Sequence, residues 1–300
     1  MDLLILAAGM GSRFGGLKQI QPVDEKGNFI IDYSIYDAVK TGFDRVVFVI
    51  KEDMYEEFEE TVGKRVSKYV ETAYAYQKMD NLPKGYSVPK ERVKPLGTAH
   101  AIYCAKDVLK GNFAIINADD FYGADAFVQA ANYLKSLDKD VKAQHANVAY
   151  FAKNTLSKKG SVKRGVLDFD DNHNLKRVVE SSVEWRGDDI WAAPLGTKDY
   201  KKIDHETLVS MNLFVYTHDI LDVFEERLPK FLDNHKNDIL DAEYLTTDVM
   251  TELLEEKEAV CKVLRTDAVW HGVTYRDDLD EVVTSLKELV DKGEYPSDRF

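Results

Sequence analysis

Asp2-Leu3-Leu4-Ile5-Leu6-Ala7-Ala8-Gly9-Met10-Gly11-Ser12-Arg13, continuing as Phe14-Gly15-Gly16-Leu17-Lys18-Gln19, opens the chain and decides its fold. The run from Leu3 to Ala7 is continuously apolar, the mark of a strand covered on both faces in a parallel sheet. The glycines begin where that strand ends, and the carboxyl end of a parallel strand is where such sheets bind ligands. Gly9 and Gly11 let the backbone turn tightly and approach a ligand with no Cβ in the way. Successive N–H groups in such a loop form a concave anion site. Arg13 adds a planar fork for phosphate oxygens and Lys18 a mobile point charge. A loop of this composition suits a triphosphate.

Two other phosphate loops fit poorly. Phe14 stands where a dinucleotide fingerprint needs its third glycine, and the next buried strand ends in Ile50-Lys51 rather than an acid. Both features argue against a dinucleotide-dependent oxidoreductase. The Gly-x4-Gly-Lys-Ser/Thr spacing of the P-loop is also missing.

Outward from this stretch, strands and helices alternate. Residues 32–41 read as a helix stopped by Gly42, 45–50 as a second buried strand, and 52–68 as a charged surface helix. Residues 70–76 read as a third strand, 77–96, with three prolines, as a long loop, and 97–109 as a helix. Residues 112–117 form a fourth strand. This order predicts a mostly parallel sheet flanked by helices. Past residue 140 the stretches 147–152, 165–169, 176–180 and 208–216 read as strands of an antiparallel elaboration, with a turn at 170–174. Helices at 219–233, 246–257 and 278–292 and a strand at 259–265 complete the reading. Trp185 and Trp191 flank Gly187-Asp188-Asp189 in what reads as a surface loop.

Composition narrows the function. The 300 residues carry 40 Lys and Arg against 53 Asp and Glu, a net charge of −13. That field repels nucleic acid and anionic membranes, but a small anionic substrate answers to its own pocket. Cys104 and Cys261 are too few for a disulfide framework, and no His/Cys cluster has zinc spacing. No apolar run reaches about 18 residues and the N-terminus lacks a basic leader, so a cytoplasmic protein is expected. Its oligomeric state is left open, a homo-oligomer included.

Two further segments bear on chemistry. Asn117-Ala118-Asp119-Asp120 ends the fourth strand on the same sheet edge as the glycine loop. A carboxylate there suits Mg²⁺, which prefers carboxylate and phosphate oxygens; the plainer reading is a helix cap. Pro95-Leu96-Gly97-Thr98-Ala99-His100-Ala101 opens a helix, with Gly97 allowing close backbone approach and His100 read as structural or solvent-facing rather than catalytic.

Together these segments resemble the nucleotidyltransferase superfamily that includes the sugar-1-phosphate nucleotidylyltransferases. The resemblance implies a Rossmann-like, GT-A-type fold, as one domain with a nucleotide-binding half (1–140) and an acceptor-binding half (141–300). It implies transfer of a nucleoside monophosphate from a triphosphate to a small phosphomonoester, such as a sugar phosphate or choline phosphate, releasing pyrophosphate. On this reading Ala8, Gly9, Gly11, Ser12, Arg13, Lys18, Gln77, Gly97 and Thr98 bind the nucleotide. Arg13, Lys18 and Asp119 are catalytic, with Asp119 on Mg²⁺. Asp120, Gly165, Glu180 and Asn212 face the acceptor. Two departures stand out: many relatives have Glu-Lys-Pro where this chain has Glu180-Ser181-Ser182, and an Asp where Gly272 stands in Trp270-His271-Gly272. They motivate an alternative, a nucleotide sensor without turnover.

Overall fold

A computed structural model describes residues 1–9, 22–138, 140–272 and 278–296. The first half runs β1 (Asp2–Leu6), α1 (Ile30–Thr41), β2 (Arg45–Ile50), β3 (Glu71–Tyr76), α2 (Thr98–Tyr103), β4 (Phe113–Asn117). β4, β1, β2 and β3 lie side by side, all parallel. Every residue of β2 is buried, as a strand sandwiched between two helical layers requires.

The second half runs β5 (Asp120–Phe121), α3 (Ala124–Ser136), β6 (Gln144–Phe151), β7 (Val162–Phe169), β8 (Leu175–Arg186), β9 (Asp189–Pro194), β10 (Lys201–Ile203) and β11 (Leu208–Tyr216). α4 (Ile220–Asn234), α5 (Thr246–Glu255), β12 (Val260–Thr266), β13 (His271–Gly272) and α6 (Asp278–Asp291) follow. β11 joins the halves: it pairs antiparallel with β4, β6 and β7, and β7 leads on to β8, β9 and β10. Among the described residues this makes one mixed sheet of 11 strands, with β5 and β13 as a separate pair. β11 bulges between Ser210 and Phe214, and there Asn212 takes φ 63°. A non-glycine residue held in that region marks a place the surroundings over-determine, a frequent property of functional sites.

Three stretches depart from the sequence reading. Ala124–Ser136 is a helix that hydropathy conceals, because its buried stripe is Ala126, Phe127, Ala130, Ala131 and Leu134, mostly small residues. Trp185 and Trp191 belong to strands rather than a surface loop. Gly187, at φ 62°, and Asp188 form the tight turn of a hairpin in which Trp185 pairs with Ile190 and Glu184 with Trp191. The surface helix of 52–68 is interrupted by a π turn at Glu59–Gly63, where Tyr74 bonds Glu59 across the helix–sheet contact.

α6 closes over the start of the chain. Val282 and Leu286 pack with Val23, Ile30, Tyr33, Phe121 and Tyr295 in a small separate core. Among the described residues no helix is long and apolar enough to cross a membrane.

Candidate active site

The carboxyl ends of β1 and β4 open into a cleft of about 630 Å³. Its lining includes Ala8 and Gly9 just past the end of β1, Gln77 just past the end of β3, Gly97 and Thr98 at the start of α2, Asn117 at the end of β4 and Asp119 after it. Sheet hydrogen bonds run up to the rim: the Ala7 N–H donates to Val49 at 2.8 Å and that of Ala118 to Leu6 at 3.1 Å. Gly11, Ser12, Arg13 and Lys18 lie outside the described residues.

On one wall the backbone itself is the device. Gly97 has φ 114° and ψ −179°, a region essentially reserved for glycine, and a Cβ there would lie 2.4 Å from the Tyr244 carbonyl oxygen. This lets Leu96 and Ala99 bracket Tyr244: its N–H donates to Leu96 at 2.6 Å, and its carbonyl accepts from Ala99 at 3.0 Å. The buried Arg92 reinforces the loop by donating to the carbonyls of Lys94, Pro95, Ile239 and Ala242.

Gln77 is fixed from behind. Its Nε2 donates to the Gly97 carbonyl at 3.1 Å and to His100 Nδ1 at 3.3 Å. His100 is fully buried and its Nε2 donates to the Asn81 carbonyl at 2.9 Å. Burial holds the imidazole pKa below its ordinary value, so the ring is neutral and Nδ1 is free to accept. Gln77 therefore keeps its carbonyl oxygen for a donor in the cleft. His100, read from sequence as structural or solvent-facing, is buried and is the group that orients Gln77. Only its spacing of three residues from Gly97 hinted at this.

The two aspartates diverge. Asp119 lines the cleft, whereas Asp120 is buried and its Oδ2 accepts from Asn117 Nδ2 at 2.9 Å and from the Tyr122 hydroxyl at 3.4 Å. A Cβ on Gly272 would come within 2.7 Å of Asp120 Oδ1 and 2.2 Å of the Trp270 ring. The indole thus fills the space a side chain at 272 would need.

A polar chain links the two sides of the site. The Thr246 N–H donates to Thr98 Oγ1 at 3.1 Å, and the Thr246 hydroxyl to Asn212 Oδ1 at 3.5 Å. Asn212 Nδ2 donates to Asn117 Oδ1 at 2.9 Å, and Asn117 in turn holds Asp120. The Asn212 φ of 63° is what brings its amide out of the bulge to close this chain. Glu180, Gly165 and Ser210 share one rung across β8, β7 and β11, and Ser210 Oγ accepts from the Asn212 N–H at 3.2 Å. Burial pushes the Glu180 carboxyl pKa up, and the Asp248 carboxylate on α5 adds to the effect. Asp248 has no motif in the sequence and is raised by burial as well.

Neither thiol suits nucleophilic work. Burial lifts Cys104 to about 11 and Cys261 well above the usual thiol range. Among the described residues no group of three or more His, Cys, Asp or Glu side chains could cage a metal.

The chain is 23% identical over 268 residues to the low-salt glycan biosynthesis nucleotidyltransferase Agl11 of Haloferax volcanii, covering 87% of this chain and 59% of that protein. It is 25% identical over 136 residues to the bifunctional protein GlmU of Methanococcus vannielii, covering 44% of this chain and 28% of that one. It thus spans less than two thirds of the length of these relatives. Among solved structures, the inositol-1-phosphate CTP transferase from T. maritima superposes with a TM-score of 0.58 at 16% identity, covering 96% of both chains. A UDP-glucose pyrophosphorylase complexed with UDP-glucose gives 0.58 at 17% identity, covering 96% of this chain and 98% of that one. Those likenesses establish the mixed α/β fold. The nucleotidyl transferase family matches residues 3–288, nearly the whole length, and the chain belongs to that family.

Proposed function

We propose that this protein transfers a nucleoside monophosphate from a nucleoside triphosphate to a small phosphomonoester and releases pyrophosphate. The observation that carries the reading is the single cleft that gathers Gly9, Gln77, Gly97, Thr98 and Asp119 at the carboxyl edge of the parallel strands.

The attacking group is a phosphate oxygen of the acceptor, already anionic, so no general base is required. The task is to hold attacker and leaving group in line and to offset charge. Gly9 and the loop after it would receive the β and γ phosphates, with Arg13 and Lys18 balancing the leaving pyrophosphate. Gln77, with its amide nitrogen committed, offers an acceptor to an N–H on the base edge. Glu180 and Asn212 would bond acceptor hydroxyls, and Asp120 supports that wall through Asn117.

Mg²⁺ fits the donor set. It keeps several waters and takes one or two carboxylates together with substrate phosphates, so Asp119 at the cleft suffices without a protein cage. When bound it supplies Lewis-acid polarisation of the phosphoryl oxygens. We place the reaction in one domain, its nucleotide half near 1–140 and its acceptor half near 141–300, acting in the cytoplasm.

The test is a pyrophosphate-release screen that crosses the common triphosphates with a panel of phosphomonoesters and Mg²⁺. CTP and UTP come first, because the solved neighbours carry cytidine and uridine nucleotides in their names. Release that depends on both substrates supports the proposal. Tight triphosphate binding with no turnover across the panel would favour the sensor reading, to which the Trp270-filled space at Gly272 lends an observation.

A further inference from the structure

A second cavity, of about 380 Å³, lies between the segment entering β7, the β13 strand and α6. Arg164, Trp270, Lys159, Ser157 and Ser161 line it, with Glu281 of α6 on another wall. Arg164 is only 7% exposed. Stripping a guanidinium of water is costly, and a buried one normally faces a carboxylate. Among the described residues Arg164 has no carboxylate within ion-pair distance. Its bonds go to neutral oxygens: Nε to Thr155 Oγ1 at 3.1 Å, Nη1 to the Lys163 carbonyl at 2.8 Å, and Nη2 to the Thr155 carbonyl.

Those bonds engage three of the five donors of the fork and leave two without an acceptor among the described residues. The guanidinium stacks on Trp270 at 4.5 Å. Trp270 adds an orphan of its own, since its Nε1–H is buried with no hydrogen-bond partner among the described residues. Arg92, the other buried arginine near the cleft, makes the contrast: it spends four donors on four backbone carbonyls and lines neither cavity. Burial lowers Arg164 to about 10, which leaves it charged at neutral pH.

We infer that this cavity binds a phosphate group, gripped by the Arg164 fork beside the Trp270 ring. Hydroxyls of Ser157 and Ser161 stand on the same lining, and Lys159 adds charge at the exposed side. The cavity adjoins the catalytic region through Gly272, which lines it and pairs with Asp120. The phosphate belongs either to the acceptor or to a separate phosphorylated molecule. Its binding does not require turnover, so a result here is read independently of the proposed reaction.

The experiment uses the full chain with Trp185→Phe and Trp191→Phe, which leaves Trp270 as the one emitter of three. Inorganic phosphate is titrated at constant ionic strength, with chloride as the control. A saturable change in Trp270 emission is expected. Arg164→Met is expected to weaken it by roughly ten- to a hundredfold, as loss of charge-assisted hydrogen bonds implies. Ser161→Glu, on the exposed lining, leaves the bonds of Arg164 intact and places a negative charge in the cavity, so it tests the site even where Arg164→Met does not fold. It should weaken binding as well. No saturable change in the folded parent, or unchanged binding in both variants, overturns the inference. In the same titration, a phosphomonoester that displaces phosphate from the Trp270 signal assigns the group to the acceptor, and phosphomonoesters that leave the signal unchanged assign it to a second molecule. Either pattern supports the site.

Discussion

Replacing Gly97 by alanine tests the architecture where backbone and function coincide. The φ of 114° with ψ near 180° costs an L-residue about 1–3 kcal/mol. The new methyl would also lie 2.4 Å from the Tyr244 carbonyl oxygen and 2.8 Å from its nitrogen, both rigid backbone. Overpacking of that kind costs about 1–3 kcal/mol more. Summed, the loss is about 2–6 kcal/mol. At about 2.1 cal/mol/K per residue, a 300-residue chain has an unfolding entropy near 0.6 kcal/mol/K, so calorimetry should show Tm falling by roughly 3–10 °C. The same shift moves the carbonyl that holds Gln77, so triphosphate affinity should fall too. Gly9→Ala is the control: a Cβ there meets nothing within 4 Å among the described residues, so Tm should hold while triphosphate binding weakens. If Gly97→Ala melts within a degree of the wild type and binds triphosphate equally well, the close approach at Tyr244 is wrong.

His100→Phe removes the acceptor that orients Gln77 and should raise the KM for triphosphate about three- to tenfold, the equivalent of one hydrogen bond, with the acceptor KM unchanged. Asn212→Gly relieves the positive φ but severs the link from Thr246 to Asn117; stability should stay within about 1 kcal/mol while kcat/KM for the acceptor drops roughly tenfold. Acid stability should depend on His145, which burial holds at about 4 against an ordinary 6.5. The unfolded chain takes up that proton first, so the contribution is intact above pH 6.5 and is lost as pH falls towards 4. It amounts to roughly 3 kcal/mol. Denaturant melts of His145→Asn should lack this share of the pH dependence, and an unchanged slope would contradict the assignment.

The parallel half of the fold was legible because its strands are unbroken apolar runs, Leu3 to Ala7 and Val46 to Ile50 among them, which only double coverage explains. α3 was not, since alanines at 126, 130 and 131 bury closely without raising hydropathy. The hairpin of Trp185 and Trp191 was missed because its turn, Gly187-Asp188, resembles a loop wherever strand pairing is unknown. In the site, Gly97, Thr98 and Asp119 announced themselves through position after strands or before a helix. His100 and Asp248 did not, because their roles arise from what they face: Gln77 in one case, Glu180 in the other. The contrast between Asp119 and Asp120 likewise depends on Asn117 and Tyr122, partners that spacing alone leaves undetermined.

The most direct test of the central claim is the rate of pyrophosphate release by wild type, Asp119→Asn and Arg13→Ala with a triphosphate, a phosphomonoester and Mg²⁺. Acceptor-dependent release by the wild type is expected, with a fall of at least a hundredfold in kcat for each variant and melting temperatures within a few degrees of the parent. Wild-type rates in both folded variants would contradict it.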